Sequence, residues 1–343
     1  MVVSKVWQLV KRPQGLPTLD DFKLIEQKLP PCSDGDVIVE AVCLSVDPYM
    51  RYKARDITLG STMYGSHVAR VTESKNEAWK VGALMVTYLG WRTHTHIPAQ
   101  LLNYKDPKTQ ATVCYPLPDM EDLPTSLGIG LLGMPGNTAY FGLLELCEPK
   151  AGDTVLVNGA AGAVGSAVVQ IAKIKGCKVI AFAGSDEKVA WVKELGADHV
   201  FNYKTTDVGK ALTETAPQKI NCYFDNVGGQ FTADVLPHMQ DLGRVALCGA
   251  ISTYNDEKQL IGAASLTSPF HEGTLIWKEL RVEGFLVTRY THRKMEAFNQ
   301  MKQWCKEGKL KYKETITEGF ENMPKAFIGL FHGDNIGKAV VMP

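Results

Sequence analysis

The stretch VLVNGAAGAVGSAVVQIAK, residues 155–173, leaves the chain least freedom in what it can fold into. An apolar run meets a knot of glycine and alanine, and a second apolar run follows. Val164, Val168, Ile171 and Ala172 recur there at helical spacing, and Gly176 can end the helix. Small residues gather where a backbone turns sharply or where something must come close to it. Gly159, Gly162 and Gly165 read G-x-x-G-x-x-G. Against the dinucleotide fingerprint G-x-G-x-x-G, Gly162 and Gly165 hold the second and third places and Ala160, still small, the first. The free N–H groups and dipole of a helix opening at this turn favour a pyrophosphate.

The surroundings extend that reading. From residue 153 onward, DTVLVNG, KVIAFAG (178–184), HVFNY, NCYFDNVGG, GRVALCGA and LRVEGFLV read as buried strands. Helices are expected over 163–175, DEKVAWVKELG and VGKALTETA, with a further one over 292–310. Strands alternating with helices, the strands apolar on both faces, predict a parallel sheet covered on both sides. The first 125 or so residues read differently. DVIVEAVCLSVDPY, SHVARVTES and ALMVTYLGW are short runs separated by Pro, Gly and Asp, and they predict a mostly β domain of barrel type. A chain of 343 residues exceeds one typical core. The expected organisation is α/β: a doubly wound parallel (Rossmann) sheet domain over 126–314, and a mostly β, GroES-like barrel domain over 1–125 plus 315–343.

Charge and cysteine usage exclude several classes. Lys plus Arg (37) equals Asp plus Glu (37), so no overall basic field draws the chain to nucleic acid or an anionic membrane. MVVSKVWQLVKR lacks the apolar length and cleavage site of a secretory leader, and no apolar run is long enough to cross a bilayer. The eight cysteines are scattered without a C-x-x-C pair, which argues against a disulfide framework or a structural zinc lobe. A cytoplasmic, reducing setting is expected.

The second strand suggests which dinucleotide is bound. An enzyme choosing NAD places Asp or Glu about 20 residues beyond the fingerprint to hold the ribose 2′-hydroxyl. Here the strand ends at Ala183-Gly184, and Ser185 and Lys188 follow. A hydroxyl and an ammonium suit a 2′-phosphate, so NADP(H) is expected. Ser185 also reads as a helix N-cap, and Lys188 as a solvated helix lysine.

A barrel-like half followed by a dinucleotide fold resembles the medium-chain dehydrogenase/reductases, many of which use zinc. Catalytic zinc needs converging Cys, His and carboxylate ligands with an open position. YGSHVARV (64–71) has no Glu after His67, Cys43 lacks a ligand pattern, and a four-cysteine lobe has only Cys114 in its place. His94 and His96 fall on one strand face and read as polar surface. No metal site is expected. Hydride then needs another electron sink, and an α,β-unsaturated carbonyl provides one. Hydride adds at the β-carbon, charge moves to the carbonyl oxygen, and the α-carbon takes a proton. Tyr254, in CGAISTYN just past a strand's carboxyl end, is the candidate catalytic residue. Its hydroxyl could donate to that oxyanion or hold a ribose hydroxyl, or the ring could simply cover the edge of the fold.

VDPYMR, GMPGNTAYFGLLE, AAGAVGS, GSDEKVAW, FNYK, YFDNVGG, CGAISTYN, EGFENMPKAF and GDNIGK together resemble the zinc-independent prostaglandin reductase family, nearly end to end. The resemblance implies NADPH-dependent reduction of the conjugated C=C bond of lipid-derived enones and enals, 15-oxo-prostaglandins among them. It also implies NADP+-dependent oxidation of the leukotriene B4 12-hydroxyl, and a homodimer. By the same resemblance, Gly162, Ala163, Val164 and Gly165 would hold the pyrophosphate, and Lys188 and Tyr203 the 2′-phosphate end. Asn226 and the loop Cys248, Gly249, Ala250, Ile251, Ser252, Thr253 and Tyr254 would contact the cofactor. Phe285, Leu286 and Val287 would run along the nicotinamide, and Asn335 would reach the cofactor from the first domain. Tyr49 could line the substrate pocket, and Arg51 or Arg55 could pair with a fatty-acid carboxylate. The resemblance is poor over 94–118. Rival readings are a quinone reductase of the same superfamily and a non-catalytic NADPH-binding protein.

Overall fold

The computed structural model describes residues 2–256 and 268–343. The chain divides into two compact units, Met134–Lys313 and Met1–Gly133 with Glu314–Pro343.

In the unit Met134–Lys313, apolar runs of β-branched and aromatic residues form a six-stranded sheet. Across the sheet its strands are His199–Asn202, Lys178–Ala183, Thr154–Val157, Ile220–Asp225, Met239–Leu247 and Arg281–Gly284, every pair parallel. Numbered along the chain this order is 3-2-1-4-5-6, so the direction of winding reverses between Thr154–Val157 and Ile220–Asp225. The carboxyl ends of those two strands flank the crevice where ligands of doubly wound sheets bind. Val155, Leu156, Val157, Val179, Ile180 and Phe182 are fully buried, as strands covered on both faces must be.

Helices Ala163–Ile174, Asp186–Glu194 and Val208–Thr215 follow the first three strands. The expected helix 292–310 is shorter, Lys294–Lys306, and a 3-10 stretch Val287–Arg293 leads into it. Ala297, Phe298, Met301 and Trp304 supply its buried stripe at helical spacing, which ends before Gly308 turns the chain at φ +68°. The GMPGNTAYFGLLE segment is helix Met134–Phe141 passing into a π-helical stretch, Gly142–Cys147. Gly142 is required there, because a Cβ would strike the Phe285 ring and lie 2.8 Å from that of Phe224.

The other unit is mostly β. A seven-stranded sheet orders Glu314–Glu318, Lys338–Met342, Val37–Val46, His67–Ser74, Leu84–Thr87 and Cys114–Pro116, with His94–Ile97 also on Val37–Val46. One edge of the long strand Val37–Val46 takes His94–Ile97 at its start and Lys338–Met342 at its end. Register shifts beside Ile38 and Ala41 let one strand serve both partners, since bulges bend a strand and sharpen its twist. Hairpin Val3–Leu9 with Phe22–Lys28 forms a separate two-stranded sheet. Phe22, Trp91 and Phe327 pack ring on ring in the core.

Candidate functional site

The glycine knot forms a cradle. The chain leaves strand Thr154–Val157, turns at Gly159 with φ +56°, and enters helix Ala163–Ile174 with Gly162 as N-cap. The glycine that the turn's backbone demands is thus Gly159; Ala160, in the fingerprint's first place, is buried with its N–H on the Phe182 carbonyl at 3.0 Å. A Cβ on Gly165 would collide with the Gly159 carbonyl and lie 2.8 Å from the Ala160 Cα, so only glycine lets helix and turn approach this closely. Gly162 has no side chain to cap the helix. The first-turn N–H groups of Ala163, Val164 and Gly165 have no partner within the helix, and they face the end where its dipole is positive. This arrangement fits a dinucleotide pyrophosphate.

A buried polar network, missed in the sequence reading, holds the cradle to its neighbours. The Asp225 carboxylate, at the end of its strand, accepts from Asn158 Nδ2 at 2.8 Å, Val227 N at 3.0 Å, Gly228 N at 2.8 Å and the Thr232 hydroxyl. Asn158 also donates to the Tyr223 hydroxyl at 2.6 Å and takes the Asn226 N–H at 2.6 Å. Asn158, Tyr223, Asp225 and Thr232 are at most 1% exposed. Asn226, an expected cofactor contact, donates its amide to the Asn158 carbonyl at 2.8 Å. The signal was present in VNG and FDNVGG, where a polar residue closes each of two apolar strands.

The loop Cys248–Tyr254 is laced to the same structure. Cys248 N and Gly249 N donate to the Asp225 carbonyl at 2.9 and 3.1 Å, and the Ser252 hydroxyl to Val227 O at 2.6 Å. Gly228 and Gly229 sit at φ +69° and +62°, where side chains would press on Ala250 and Ser252. Ile251 N donates to Asn226 O at 3.3 Å, and the Thr253 hydroxyl to Ala250 O at 2.9 Å. Tyr254 folds its phenol back over this loop and accepts from Ala250 N at 3.4 Å. Burial raises its pKa above the usual phenol value, which keeps the O–H as a donor. Burial likewise pushes the Cys248 thiol up to about 12, so it is no nucleophile. Phe285 is buried against Phe224, whereas Leu286 is 77% exposed and Val287 half-buried.

At the end of the second strand, the Ser185 hydroxyl accepts from Lys188 N at 3.3 Å as N-cap of helix Asp186–Glu194. Tyr203 lays its ring on Gly184, where a Cβ would lie 3.1 Å from the hydroxyl. The Lys188 side chain is half-buried on the first turn of that helix. Asp186 accepts from Asn202 Nδ2 at 2.9 Å.

In the other unit, Tyr49 follows a buried ion pair. Lys338 Nζ lies 3.2 Å from Asp47 Oδ1 and donates to the Val46 and Ala339 carbonyls at 2.7 and 2.8 Å. Tyr49 meets Tyr64 edge to face, centroids 6.0 Å apart, and burial raises both phenols. Arg51 is placed otherwise than carboxylate binding asks. It is 2% exposed, and its guanidinium donates to the Pro13 and Gly15 carbonyls at 3.0 and 3.1 Å. The Asn335 amide donates to the Gly337 carbonyl at 2.8 Å. His94 and His96 share a strand face, but that face is not open polar surface: His96 Nε2 lies 2.8 Å from Asp36 Oδ2, with side chains 14% and 11% exposed. His67 is buried with Nε2 3.2 Å from the Thr87 hydroxyl. Among the described residues, no three His, Cys, Asp or Glu side chains converge as metal ligands would.

Residues 5–104 match a family model described as the N-terminal domain of oxidoreductase, and residues 163–306 one described as zinc-binding dehydrogenase. The chain is 48% identical to prostaglandin reductase 1 of Rattus norvegicus over 347 aligned positions, 99% of each protein. It is 41% identical to an NADP(+)-dependent 2-alkenal reductase of Nicotiana tabacum, over 96% of this chain and 94% of that one. The crystal structure of CurA from Vibrio vulnificus in complex with NADPH superposes with a TM-score of 0.88 at 34% identity, covering 98% of each chain.

Proposed function

Because the chain belongs to the zinc-independent prostaglandin reductase family of medium-chain dehydrogenase/reductases, we propose that it reduces the conjugated C=C bond of enones and enals with NADPH. The observation that carries this is the glycine cradle at the point where the strand order reverses, open to a pyrophosphate and braced by Asp225.

NADPH, when bound, supplies the hydride. The residues proposed to hold it are Gly162 to Gly165 at the pyrophosphate, Lys188 and Tyr203 at the 2′-phosphate, and Asn226, the Cys248–Tyr254 loop and Phe285 to Val287 further along. Asn335 is proposed as a further cofactor contact. Ser185 gives its hydroxyl to the helix cap, so the ammonium of Lys188 is the group that selects the phosphate. Tyr254, kept protonated, donates to the oxygen that becomes an enolate as the β-carbon accepts hydride. Tyr49 lines the substrate pocket, and Arg55, half-exposed over the Tyr52 ring, replaces Arg51 as the arginine open to an acidic substrate. Substrates are lipid-derived enones and enals, 15-oxo-prostaglandins included, and the leukotriene B4 12-hydroxyl is oxidised with NADP+.

No helix among the described residues is long and apolar enough to cross a membrane. The enzyme is proposed to work in the cytoplasm as a homodimer. Strand Arg281–Gly284 ends the parallel sheet, and Ile276, Trp277 and Leu286 beside it are 70%, 86% and 77% exposed. Antiparallel pairing with a second copy about Val282 would set Arg281 opposite Glu283.

Loss of NADPH absorbance with nonenal or a 15-oxo-prostaglandin tests the activity. Turnover of a quinone but not of the enone, or none despite cofactor binding, would overturn it. Lys188→Ala should weaken NADPH binding about tenfold or more and leave NADH nearly unchanged. Equal losses for both cofactors would remove the role given to Lys188.

A further inference from the structure

The amino-terminal end of the parallel sheet, away from the cradle, carries thiols for which double-bond reduction has no use. Strand Ile220–Asp225 shifts register between Ile220 and Cys222, which aligns Cys222 with Arg244 on the next strand. Arg244 Nη2 donates to the Cys222 sulfur at 3.2 Å and to Asp153 Oδ2 at 2.7 Å, while its Nε is buried without a partner. The Cys222 thiol donates to the Cys147 carbonyl at 3.2 Å and the Cys147 thiol to the Tyr223 carbonyl at 3.8 Å, so each sulfur lies against the other's stretch of backbone. Both cysteines are 0% exposed. Arg244 and Asp153, both in contact with the Cys222 sulfur, have side chains 17% and 15% exposed.

An arginine donor fixes the sulfur it touches, and a neighbouring carboxylate can relay a proton. An apolar packing role asks for neither group. We propose that Cys222 and Cys147 form a redox-active dithiol that hydrogen peroxide oxidises to a disulfide, Cys222 being the sulfur that attacks. As the Cys222 sulfur attacks, its proton is handed past Asp153, whose Oδ2 lies 3.9 Å from the sulfur, to the peroxide. The sulfur, held by Arg244, attacks one peroxide oxygen; the O–O bond breaks, and the leaving hydroxide takes the Cys222 proton and departs as water. The Cys147 sulfur then attacks the sulfenic sulfur, the S–O bond breaks, and a second water leaves. In sum, two thiols give up two hydrogens and one peroxide becomes two waters. Its contact with Cys222 and burial hold the Cys147 thiol well above the usual cysteine range, which disfavours it as the first sulfur to attack.

The test uses the whole protein. Reduced wild type is exposed to hydrogen peroxide, its remaining thiols are alkylated, and it is digested without reductant for peptide mass spectrometry. One linked pair containing Cys147 and Cys222, released by dithiothreitol, is expected. Arg244→Met should slow its formation about tenfold, and Cys147→Ser should leave Cys222 as a sulfenic acid that dimedone labels. A link through Cys177, 2% exposed and bonded to the Lys150 carbonyl at 3.5 Å, would overturn the role of Cys147. Oxidation of the more accessible Cys248 and Cys305 while Cys147 and Cys222 stay free would overturn the proposal. Wild-type mapping decides this even where a variant fails to fold.

Discussion

The two units each bury a carboxylate under a loop proposed to carry site residues, and they satisfy it in opposite ways. Among the described residues no cation pairs with Asp225: a side-chain amide, a hydroxyl and two backbone N–H groups supply its hydrogen bonds. Asp47 is neutralised by Lys338 and hydrogen-bonded by Ser45. Dispersed donors can shape a loop around one point, because each fixes a different stretch of backbone. A single ion pair ties two segments far apart in sequence, here the Asp47-Pro48-Tyr49 turn and the last strand. The first device suits a cradle that must present several backbone segments at once. The second suits a chain whose end returns to a unit begun at its start.

The contrast makes removal of Lys338 the most damaging change. Lys338→Met leaves a buried, poorly compensated carboxylate, and should cost about 3–5 kcal/mol. Hydrogen exchange should show the loss in the β-rich unit, with NADPH affinity of the folded fraction preserved. Uniform loss across both units would break the comparison.

Acid sharpens it next. Burial, with help from Arg92, pushes His67 down to about 4. In the unfolded chain it titrates near ~6.5, so there the unfolded state binds a proton that the folded state refuses. Stability is therefore complete above pH ~6.5 and falls toward pH ~4, by up to about 3 kcal/mol from this residue. Denaturation curves against pH should show that slope, and His67→Gln should flatten it.

Asp225→Asn keeps the shape but turns an NH2 toward groups that already donate. Roughly 2 kcal/mol of stability should go, and NADPH affinity, read by fluorescence titration, should fall about tenfold as the cradle loosens. Unchanged affinity would mean that the network shapes nothing the cofactor touches. The smallest effect is Ser185→Ala, about 1 kcal/mol from the lost cap. The preference for NADPH should survive it, which separates the cap from the charge of Lys188.

Much of the parallel-sheet unit was legible beforehand, since its strands are long apolar runs and its turn is written in glycines. Helix Ala163–Ile174 starts within the glycine knot and stops two residues before Gly176. The β-rich unit was legible only as a class. Its long strand has different partners along its length, and short alternating runs do not say which run pairs with which. Arg51 shows the limit for side chains. Beside a tyrosine in an exposed-looking turn it reads as an anion site, yet the carbonyls that take its guanidinium lie some way back, at Pro13 and Gly15. Tyr203 directly follows strand His199–Asn202 and Tyr254 lies in the loop after Met239–Leu247, positions visible in one dimension.

The sequence by itself determined the parallel sheet, the glycine turn after its first strand and the absence of an acid from the end of the second strand. Those depend on residues close together in the chain, where size and spacing act directly. Only the tertiary structure decided that Asp225 anchors the cradle, that Lys338 neutralises Asp47, and that Cys147, Cys222 and Arg244 meet. The desolvation of a charge or thiol depends on what the rest of the fold packs around it, and spacing along a chain carries no record of that.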